Sequence, residues 1–322
     1  MQLNEKVEHT YNNDLTNHLR NCDSPKNIVL MQLESIDWRT LNTAVGKGPM
    51  VPTLAQLAKQ GSLMKMETIH IIGSLDVDFT ILTNKLPSDR IASYKLPDLN
   101  LENNLVETVN KAGFHSSIIH PFRITYFDRD LVLNRLPFEN TIFSENMHDY
   151  LGLELDNKAV NVYGFEDEDM FQISKTLFER SSAPQFHYLI SWRTHWPFKL
   201  NEEIFETNAR LHHDKPLSYD YPLSTWEKYY HSVLYLDSHI ERYIDLVPEG
   251  TRFYIFGDHE APLQFPAESG FTKKANTKPE YVPLILWQKG CDKFPDSVNK
   301  NTKGIHVLEL SDHLNYYFRT HR

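Results

Sequence analysis

The sequence predicts an α/β fold with a mostly parallel central sheet and helices on both faces. Short apolar runs rich in β-forming residues alternate with amphipathic helical patterns, which is typical of parallel sheets. Neither an internal repeat nor a low-complexity linker interrupts this alternation. The 322 residues, 40% hydrophobic and 24% charged, are enough to bury one large core, and this composition excludes a disordered or fibrous protein.

The first strand is predicted at 27–33, where the run NIVLMQL has the apolar character of a strand buried on both faces. A helix is predicted at 52–60 because its apolar residues share one face, Pro52 lies in its first turn and Gly61 follows it. The later predicted elements are helix 101–111, strand 114–120, helix 170–179, strand 186–191, helix 226–246, strand 252–256, strand 282–287 and helix 307–318. Two stretches show neither the helical nor the strand periodicity of apolar residues and are predicted to be loops, 201–222 and 261–280.

The chain is predicted to comprise a polar N-terminal extension, residues 1–26, and a single domain, residues 27–322, with a small C-terminal subregion. The extension has no apolar run long enough for a signal peptide or a membrane span. The chain as written is therefore predicted to be cytoplasmic, with peripheral membrane association as an alternative, and extracytoplasmic if an N-terminal anchor is missing. Cys22 and Cys291 form no C-x-x-C pair and are predicted to be unpaired thiols in a reducing compartment.

The formal net charge is −10. An acidic chain of this kind does not hold nucleic acid or an anionic membrane through its overall field, because those partners need a basic surface. Any phosphate must therefore be bound by a local cation.

Polar side chains follow several of the predicted strands. Ligands of open α/β sheets bind outside the carboxyl ends of the strands, so these residues are candidates for a site. The candidates are Glu34, His120, residues 192–195, Asp258 and His259. Glu34, Asp258 and His259 would form an O,O,N donor set suited to Mn, Zn or Mg. On periodicity alone an ordinary Gly257-Asp258 turn remains an alternative.

Ser74 lies in the turn IIGSLDVDFT, before a predicted helix. Backbone N–H groups at a helix start favour an anion, and a serine becomes a strong nucleophile when a metal or base lowers the pKa of its hydroxyl. The alternative is that Ser74 only caps the helix, with Asp76 and Asp78 placed as charges that suit its positive end.

Six segments together carry a resemblance to a known family. They are NIVLMQLES, MVPTLAQLAKQG, IGSLDVDFT, GFHSSIIH with YFDRD, THWPF and FGDHE. In this order they resemble the alkaline phosphatase and sulfatase superfamily, and within it the catalytic domain of phosphoglycerol transferases of the lipoteichoic acid synthase type. The resemblance runs from about Asn27 to about Phe318, so it implies that 27–322 is a sulfatase-like catalytic domain.

The resemblance implies one divalent metal ion, Mn, Zn or Mg, and assigns its ligands as Glu34, Ser74, Asp258 and His259. It also implies that Ser74 is the catalytic nucleophile and that substrate is bound by His120, Phe127, Arg129 and His195. Ser74 stands where the lipoteichoic type has threonine. The sequence after Ser74 lacks the x-Pro-x-Arg of sulfatases proper, so sulfate ester hydrolysis is not expected.

The implied function is a metal-dependent phosphotransferase that works through a phospho-serine intermediate. It would move a phosphoglycerol- or phosphoethanolamine-type group from a phosphate-ester donor to a cell-envelope glycan or alcohol acceptor, with no nucleic acid partner and no membrane span in this chain. One alternative is a phosphomono- or diester hydrolase of the same superfamily. A second is a non-catalytic binding or assembly module, against which the joint presence of Glu34, Ser74, Asp258 and His259 argues. His212 and His213 are candidate ligands of a second metal, whereas His115, His187 and His231 are predicted surface or packing residues.

Overall fold

The computed structural model describes residues 15, 22–96, 98–152, 165–200, 204, 223–263, 279–291 and 304–320. The strands are β1 (Asn27–Leu33), β2 (Ala44–Val45), β3 (Gly48–Pro49), β4 (Ser62–Thr68), β5 (His115–Ile119), β6 (Asn140–Ile142), β7 (Gln185–Ile190), β8 (Thr251–Gly257), β9 (Glu280–Gln288) and β10 (Ile305–His306). The α-helices are α1 (Trp38–Asn42), α2 (Pro52–Gln60), α3 (Leu75–Thr83), α4 (Leu105–Lys111), α5 (Asp130–Leu133), α6 (Met147–Leu151), α7 (Asp167–Arg180), α8 (Thr225–Leu246) and α9 (Val307–Thr320).

Among the described residues, eight strands form one sheet in the order β10-β4-β9-β8-β1-β7-β5-β6, and β2 pairs with β3 in a separate hairpin. Strand β9 runs antiparallel to its neighbours β4 and β8, and the other neighbours in the main sheet are parallel. The predicted α/β class with a mostly parallel sheet is confirmed.

Both faces of the central strand β1 are covered. All seven of its residues are buried. Ile28 and Leu30 belong to a core cluster that includes residues of α3, α4 and α9. Val29 and Met31 belong to a second cluster, with residues of α2, α7 and α8. An apolar run without alternation is what a strand between two helical layers requires.

The register between β1 and β8 sets the position of the site. Leu33 pairs with Gly257, so the residues that follow, Glu34 and Asp258, leave the sheet side by side. A Cβ atom at Gly257 would lie 1.7 Å from the carbonyl oxygen of Ile36. Only glycine permits this close approach of two chain segments at the carboxyl end of the strands.

Most predicted elements agree with the structure, and the differences have local causes. The bounds of β1 and α2 match the prediction. Helix α4 begins at Leu105 rather than 101, because the Asn104 side chain accepts a hydrogen bond from the backbone N–H of Glu107 and caps the helix there. Strand β4 was not predicted, although its residues alternate between buried and half-buried, because Lys65 and Glu67 interrupt the apolar run. The predicted loop 201–222 lies outside the described residues apart from Ile204.

The prediction of two unpaired thiols is wrong. Cys22 and Cys291 form a disulfide that joins positions 269 residues apart, with 5.7 Å between their Cα atoms. The carbonyl oxygen of Asp23 accepts hydrogen bonds from the side chains of Arg252 and Gln288, 3.3 and 3.1 Å long. These contacts bring the segment before β1 to the end of β9, a proximity that sequence spacing cannot show.

In the parts of the chain that the structure describes, no helix combines the length and the apolar character needed to cross a membrane.

We expect removal of the disulfide to destabilise the fold. Replacing both cysteines with serine should lower the free energy of unfolding by about 2–5 kcal/mol, because the bond closes a very long loop in the unfolded chain. Urea unfolding with and without dithiothreitol measures this effect. Reductant should lower the midpoint of the wild type and leave that of the double serine variant unchanged; a wild-type midpoint insensitive to reductant would contradict the prediction.

Candidate active site

Four of the predicted site residues meet at the carboxyl edge of the sheet. Ser74 Oγ donates a 2.8 Å hydrogen bond to Glu34 Oε2, and His259 Nε2 lies 3.0 Å from Glu34 Oε1. Ser74 Oγ and His259 Nε2 are 3.4 Å apart. One ligand atom from each of Glu34, Asp258 and His259 lies within 4.8 Å of the other two. All four residues are buried.

Ser74 does not act as a capping side chain. It occupies the N-cap of α3, but its hydroxyl makes no capping hydrogen bond. Asp76 Oδ2 instead accepts hydrogen bonds from the backbone N–H groups of Ile71, Ile72 and Gly73, 2.7, 2.7 and 3.3 Å long. This arrangement holds the turn before the helix and leaves the Ser74 hydroxyl free to face Glu34, which favours the nucleophile interpretation over the capping one.

Backbone contacts orient the three donor residues. Asp258 Oδ1 accepts from the backbone N–H groups of Ser35 and His259, at 2.8 and 2.7 Å. The backbone N–H of Glu34 donates to Ser191 Oγ at 2.9 Å. His259 Nδ1 lies 2.9 Å from the carbonyl oxygen of Glu260, which can only accept, so Nδ1 carries a proton and Nε2 faces the cluster.

The cluster holds two buried carboxyl groups and one imidazole. Burial raises the pKa of Asp258 well above its usual range, and the Glu34 carboxylate adds to this effect. Burial acts in the same direction on Glu34, but the neighbouring His259 lowers the pKa of Glu34 below its ordinary value. Burial opposes charge on His259, yet Asp258 and Glu34 raise its pKa to about 10. The His259 imidazole is therefore the shared electrostatic partner of two buried carboxyl groups.

A divalent cation fits this donor set. Asp258 Oδ2 is buried and has no hydrogen-bond partner among the described residues. Two carboxylates and one imidazole converge on the same space, and Ser74 Oγ borders it. A small dication would neutralise both carboxylates and give Asp258 Oδ2 the partner that a buried polar atom requires.

A cleft of about 200 Å³ opens next to the cluster. Of the predicted site residues, Glu34, Ser74, Phe127, His195 and His259 line it. Its remaining lining residues, which sequence reasoning did not assign to the site, are Ser35, His70, Ile72, Gly73, Trp196 and Pro262. His70 and Ile72 follow β4, so recognising that strand would have marked them as strand-end candidates.

His120 is buried, does not line this cleft and is uncharged. Its Nδ1 donates to the carbonyl oxygen of Ile190 at 2.8 Å, and Nε2 has no partner in the described part of the chain. Burial and the Arg129 guanidinium lower the pKa of His120 to about 3. With its one proton on Nδ1, the neutral ring presents Nε2 as a hydrogen-bond acceptor.

Phe127 lines the cleft beside Ser74, and the Arg129 guanidinium lies 5.7 Å from the centroid of the Phe127 ring. The Arg129 guanidinium donates to Asp78 at 2.7 Å, both side chains are buried, and Arg129 is not among the residues that line the cleft. Phe127 has a left-handed backbone, with φ of 60°, and its ring leaves no room for a Cβ atom at Gly73. Asp78 therefore has a specific buried partner and does not serve only as a charge at the helix start.

A second group of possible metal ligands borders the first. It contains His70, His259 and Glu280, with His70 Nδ1 lying 3.4 Å from Glu280 Oε2 and the His70 ring stacked on His259 at 4.0 Å. His212 and His213, the predicted candidates for a second metal, lie outside the described residues. The predicted packing or surface histidines, His115, His187 and His231, do not line the cleft.

The sheet order, with a serine and a carboxylate–imidazole cluster at one edge, defines the alkaline-phosphatase-like class of α/β proteins. A family model described as Sulfatase matches residues 26–306. The chain belongs to the sulfatase family, as the resemblance of its motifs predicted, and members of this class include enzymes of phosphate transfer.

Three individual relatives share between 14% and 24% sequence identity with this chain. The lipoteichoic acid synthase of Staphylococcus saprophyticus is 24% identical over 245 residues, which are 73% of this chain and 36% of that protein. The chain thus spans about a third of the length of this curated relative. Lipoteichoic acid synthase LtaP from Listeria monocytogenes matches with a TM-score of 0.66 and 17% identity, over 84% of this chain and 67% of that one. The Streptococcus pyogenes phosphoglycerol transferase GacH, solved with sn-glycerol-1-phosphate, matches with a TM-score of 0.62 and 14% identity, over 94% and 80%.

We expect metal binding to depend on pH. Because the folded pKa of His259, about 10, lies above its ordinary 6.5, protonation stabilises the metal-free fold fully below pH 6.5 and this stabilisation is lost as the pH rises through 10. Mn²⁺ must displace the proton on Nε2. The increase in Tm when Mn²⁺ is added to chelator-treated protein should therefore grow from pH 6.5 to about 9.

The matched control is Glu34→Gln, which keeps the shape of the side chain and removes one charged ligand. Its Tm should respond little to Mn²⁺ at any pH. Equal stabilisation of the wild type and of this variant would place the ion elsewhere.

Proposed function

We propose that this chain is a metal-dependent phosphotransferase that forms a phospho-serine intermediate on Ser74. It would transfer a phosphoglycerol- or phosphoethanolamine-type group from a phosphate-ester donor to a cell-envelope glycan or another alcohol. The observation that carries the proposal is the Ser74 hydroxyl, which points at Glu34 within a cluster of metal-ligand chemistry instead of capping α3. The names of the similar lipoteichoic acid synthases and phosphoglycerol transferase support the choice of transferred group.

Glu34, Asp258 and His259 would hold one divalent ion, Mn, Zn or Mg, with Ser74 as a further ligand. A cation bound there would favour the alkoxide form of Ser74. The hydroxyl proton already faces Glu34 Oε2. As the bond between Ser74 Oγ and phosphorus forms, the bond from phosphorus to the donor's alcohol oxygen breaks and that oxygen takes up a proton. An acceptor hydroxyl then attacks the same phosphorus, the bond between phosphorus and Ser74 Oγ breaks, and the proton lost by the acceptor hydroxyl returns to Ser74 Oγ.

We assign the residues around the cluster different roles in binding the substrate. His195 lines the cleft, and its Nδ1 donates to the carbonyl oxygen of Trp196 at 2.6 Å. In the imidazolium form Nε2 is a donor as well, so we assign Nε2 of that form to a phosphate oxygen. His120 offers an acceptor nitrogen, which suits a hydroxyl of the transferred group. Phe127 forms one wall of the cleft. Arg129, held by Asp78, contributes positive charge from behind the wall rather than a direct contact.

Hydrolysis is the second candidate. Trp196 lines the cleft and is 57% exposed, so this part of the cleft is open to solvent. Water in place of the acceptor alcohol would make the same intermediate yield a free phosphomonoester. Product analysis with and without added glycerol separates transfer from hydrolysis.

The disulfide supports an extracytoplasmic location, the alternative that the sequence left open. Disulfides persist in oxidising compartments and are rare where thiols are kept reduced. A cell-envelope acceptor would lie in the same compartment, so we propose that the chain works outside the cytoplasm.

We expect Ser74→Ala to lower the turnover of a chromogenic phosphodiester by about 10³-fold or more, because no other group replaces the nucleophile. Rapid quenching of the wild type should yield a peptide containing Ser74 with the added mass of the phosphoryl group together with the ester substituent that the diester retains. Ser93→Ala, which removes a buried hydroxyl outside the cleft, should keep full activity. Full activity in Ser74→Ala would overturn the nucleophile assignment.

A further inference from the structure

The indole of Trp192 contacts two candidate substrate-binding side chains, His120 and His195. Its indole stacks on Phe122, with ring centroids 4.0 Å apart and planes at 8°, and on His195, at 4.1 Å and 22°. His120 and Tyr126 form T-shaped contacts with the indole, with ring centroids 6.0 and 5.6 Å away. Both histidines assigned to the substrate therefore touch this one ring.

The main chain of this segment is fixed as well. The backbone N–H of Trp192 donates to Asp167 Oδ1 at 2.8 Å, and that of Arg193 donates to Asp167 Oδ2 at 3.1 Å. The backbone N–H of His195 donates to the carbonyl oxygen of Trp192 at 3.0 Å, which closes a turn. The Thr194 hydroxyl donates to the carbonyl oxygen of Glu34 and joins this turn to the metal-ligand segment.

Packing alone does not account for the indole. Trp192 is half-buried, and within the described residues it belongs to neither of the two hydrophobic core clusters. Trp287, in contrast, packs against the second cluster at the far end of β9. The neighbours of Trp192 are rings at the cleft, so its contacts act on the geometry of the site.

We propose that Trp192 is a positioning residue that holds the His195 imidazole in its phosphate-binding orientation; the inference rests on the proposed phosphotransfer function. An imidazole on a cleft wall would otherwise sample several side-chain rotamers. Stacking on the indole, together with the hydrogen bond from Nδ1 to Trp196, restricts rotation of the ring and keeps Nε2 directed at the cleft. Fixing a group before substrate arrives lowers the cost of reaching the transition state.

The test combines kinetics and structure. In Mn²⁺-loaded protein acting on bis(p-nitrophenyl) phosphate, Trp192→Leu should lower kcat/KM by about 10- to 100-fold, because small misplacements of a catalytic contact cost this much. Trp192→Phe, which keeps a stacking ring, should restore most of the activity. Trp287→Leu is the matched control: it should lower Tm and leave kcat/KM unchanged.

A double-mutant cycle with His195→Ala distinguishes positioning from general damage. If Trp192 acts through His195, the double variant should be no slower than His195→Ala alone. Independent, multiplying losses would overturn the proposal. A crystal structure of Trp192→Leu gives a readout that does not need activity: the His195 ring should lose its hydrogen bond to Trp196 or occupy several conformers. If the His195 ring keeps its wild-type position in that crystal structure, the positioning role is refuted. If the wild-type protein shows no turnover, the proposed function is refuted instead. The crystal structure of Trp192→Leu would still decide whether Trp192 positions His195.

Discussion

The parallel pairing of β1 with β8 is the constraint on which the site depends. It places Glu34 and His259, 225 residues apart in sequence, within 3.0 Å of each other. The pairing tolerates no side chain at Gly257, because the carbonyl oxygen of Ile36 occupies that space. Two buried carboxyl groups are thereby forced together around one imidazole, and a cation bound there would relieve that electrostatic conflict. The overall charge of −10 has no part in it.

Around this pair, buried carboxylates hold the turns that carry the proposed site residues. Asp76 gathers three backbone N–H groups before Ser74, and Asp167 gathers two at Trp192 and Arg193. Asp258 does the same for Ser35 and His259. Each turn is thus fixed by a side chain that leaves the functional groups free to face the cleft. Preorganisation of this kind is what a phosphoryl-transfer site requires, since most of its catalysis is positioning and electrostatic stabilisation.

The sequence could place Glu34, Asp258 and His259 at one edge of the sheet, where the structure brings them together, because strand ends are readable. NIVLMQL and RFYIFG are runs of apolar residues that stop abruptly at Glu34 and Asp258, and the parallel architecture places both stops on one edge. Prediction from the sequence failed where a pattern was interrupted or where contacts joined distant residues. Lys65 and Glu67 interrupt the apolar pattern of β4, so the strand was missed, and with it the strand-end positions of His70 and Ile72. The disulfide depended on contacts of Asp23 with β8 and β9, which no spacing rule reveals.

By itself the sequence determined the fold class, the family resemblance and the residue types of the site, because local periodicity and short motifs are properties of neighbouring residues. Tertiary structure decided where those residues lie and which partners they contact. It turned the Ser74 hydroxyl from the helix end to Glu34, paired Arg129 with Asp78 in the interior, left His120 neutral and set His195 against Trp192. These outcomes depend on burial and on partners distant in sequence, and both exist only once the sheet has assembled.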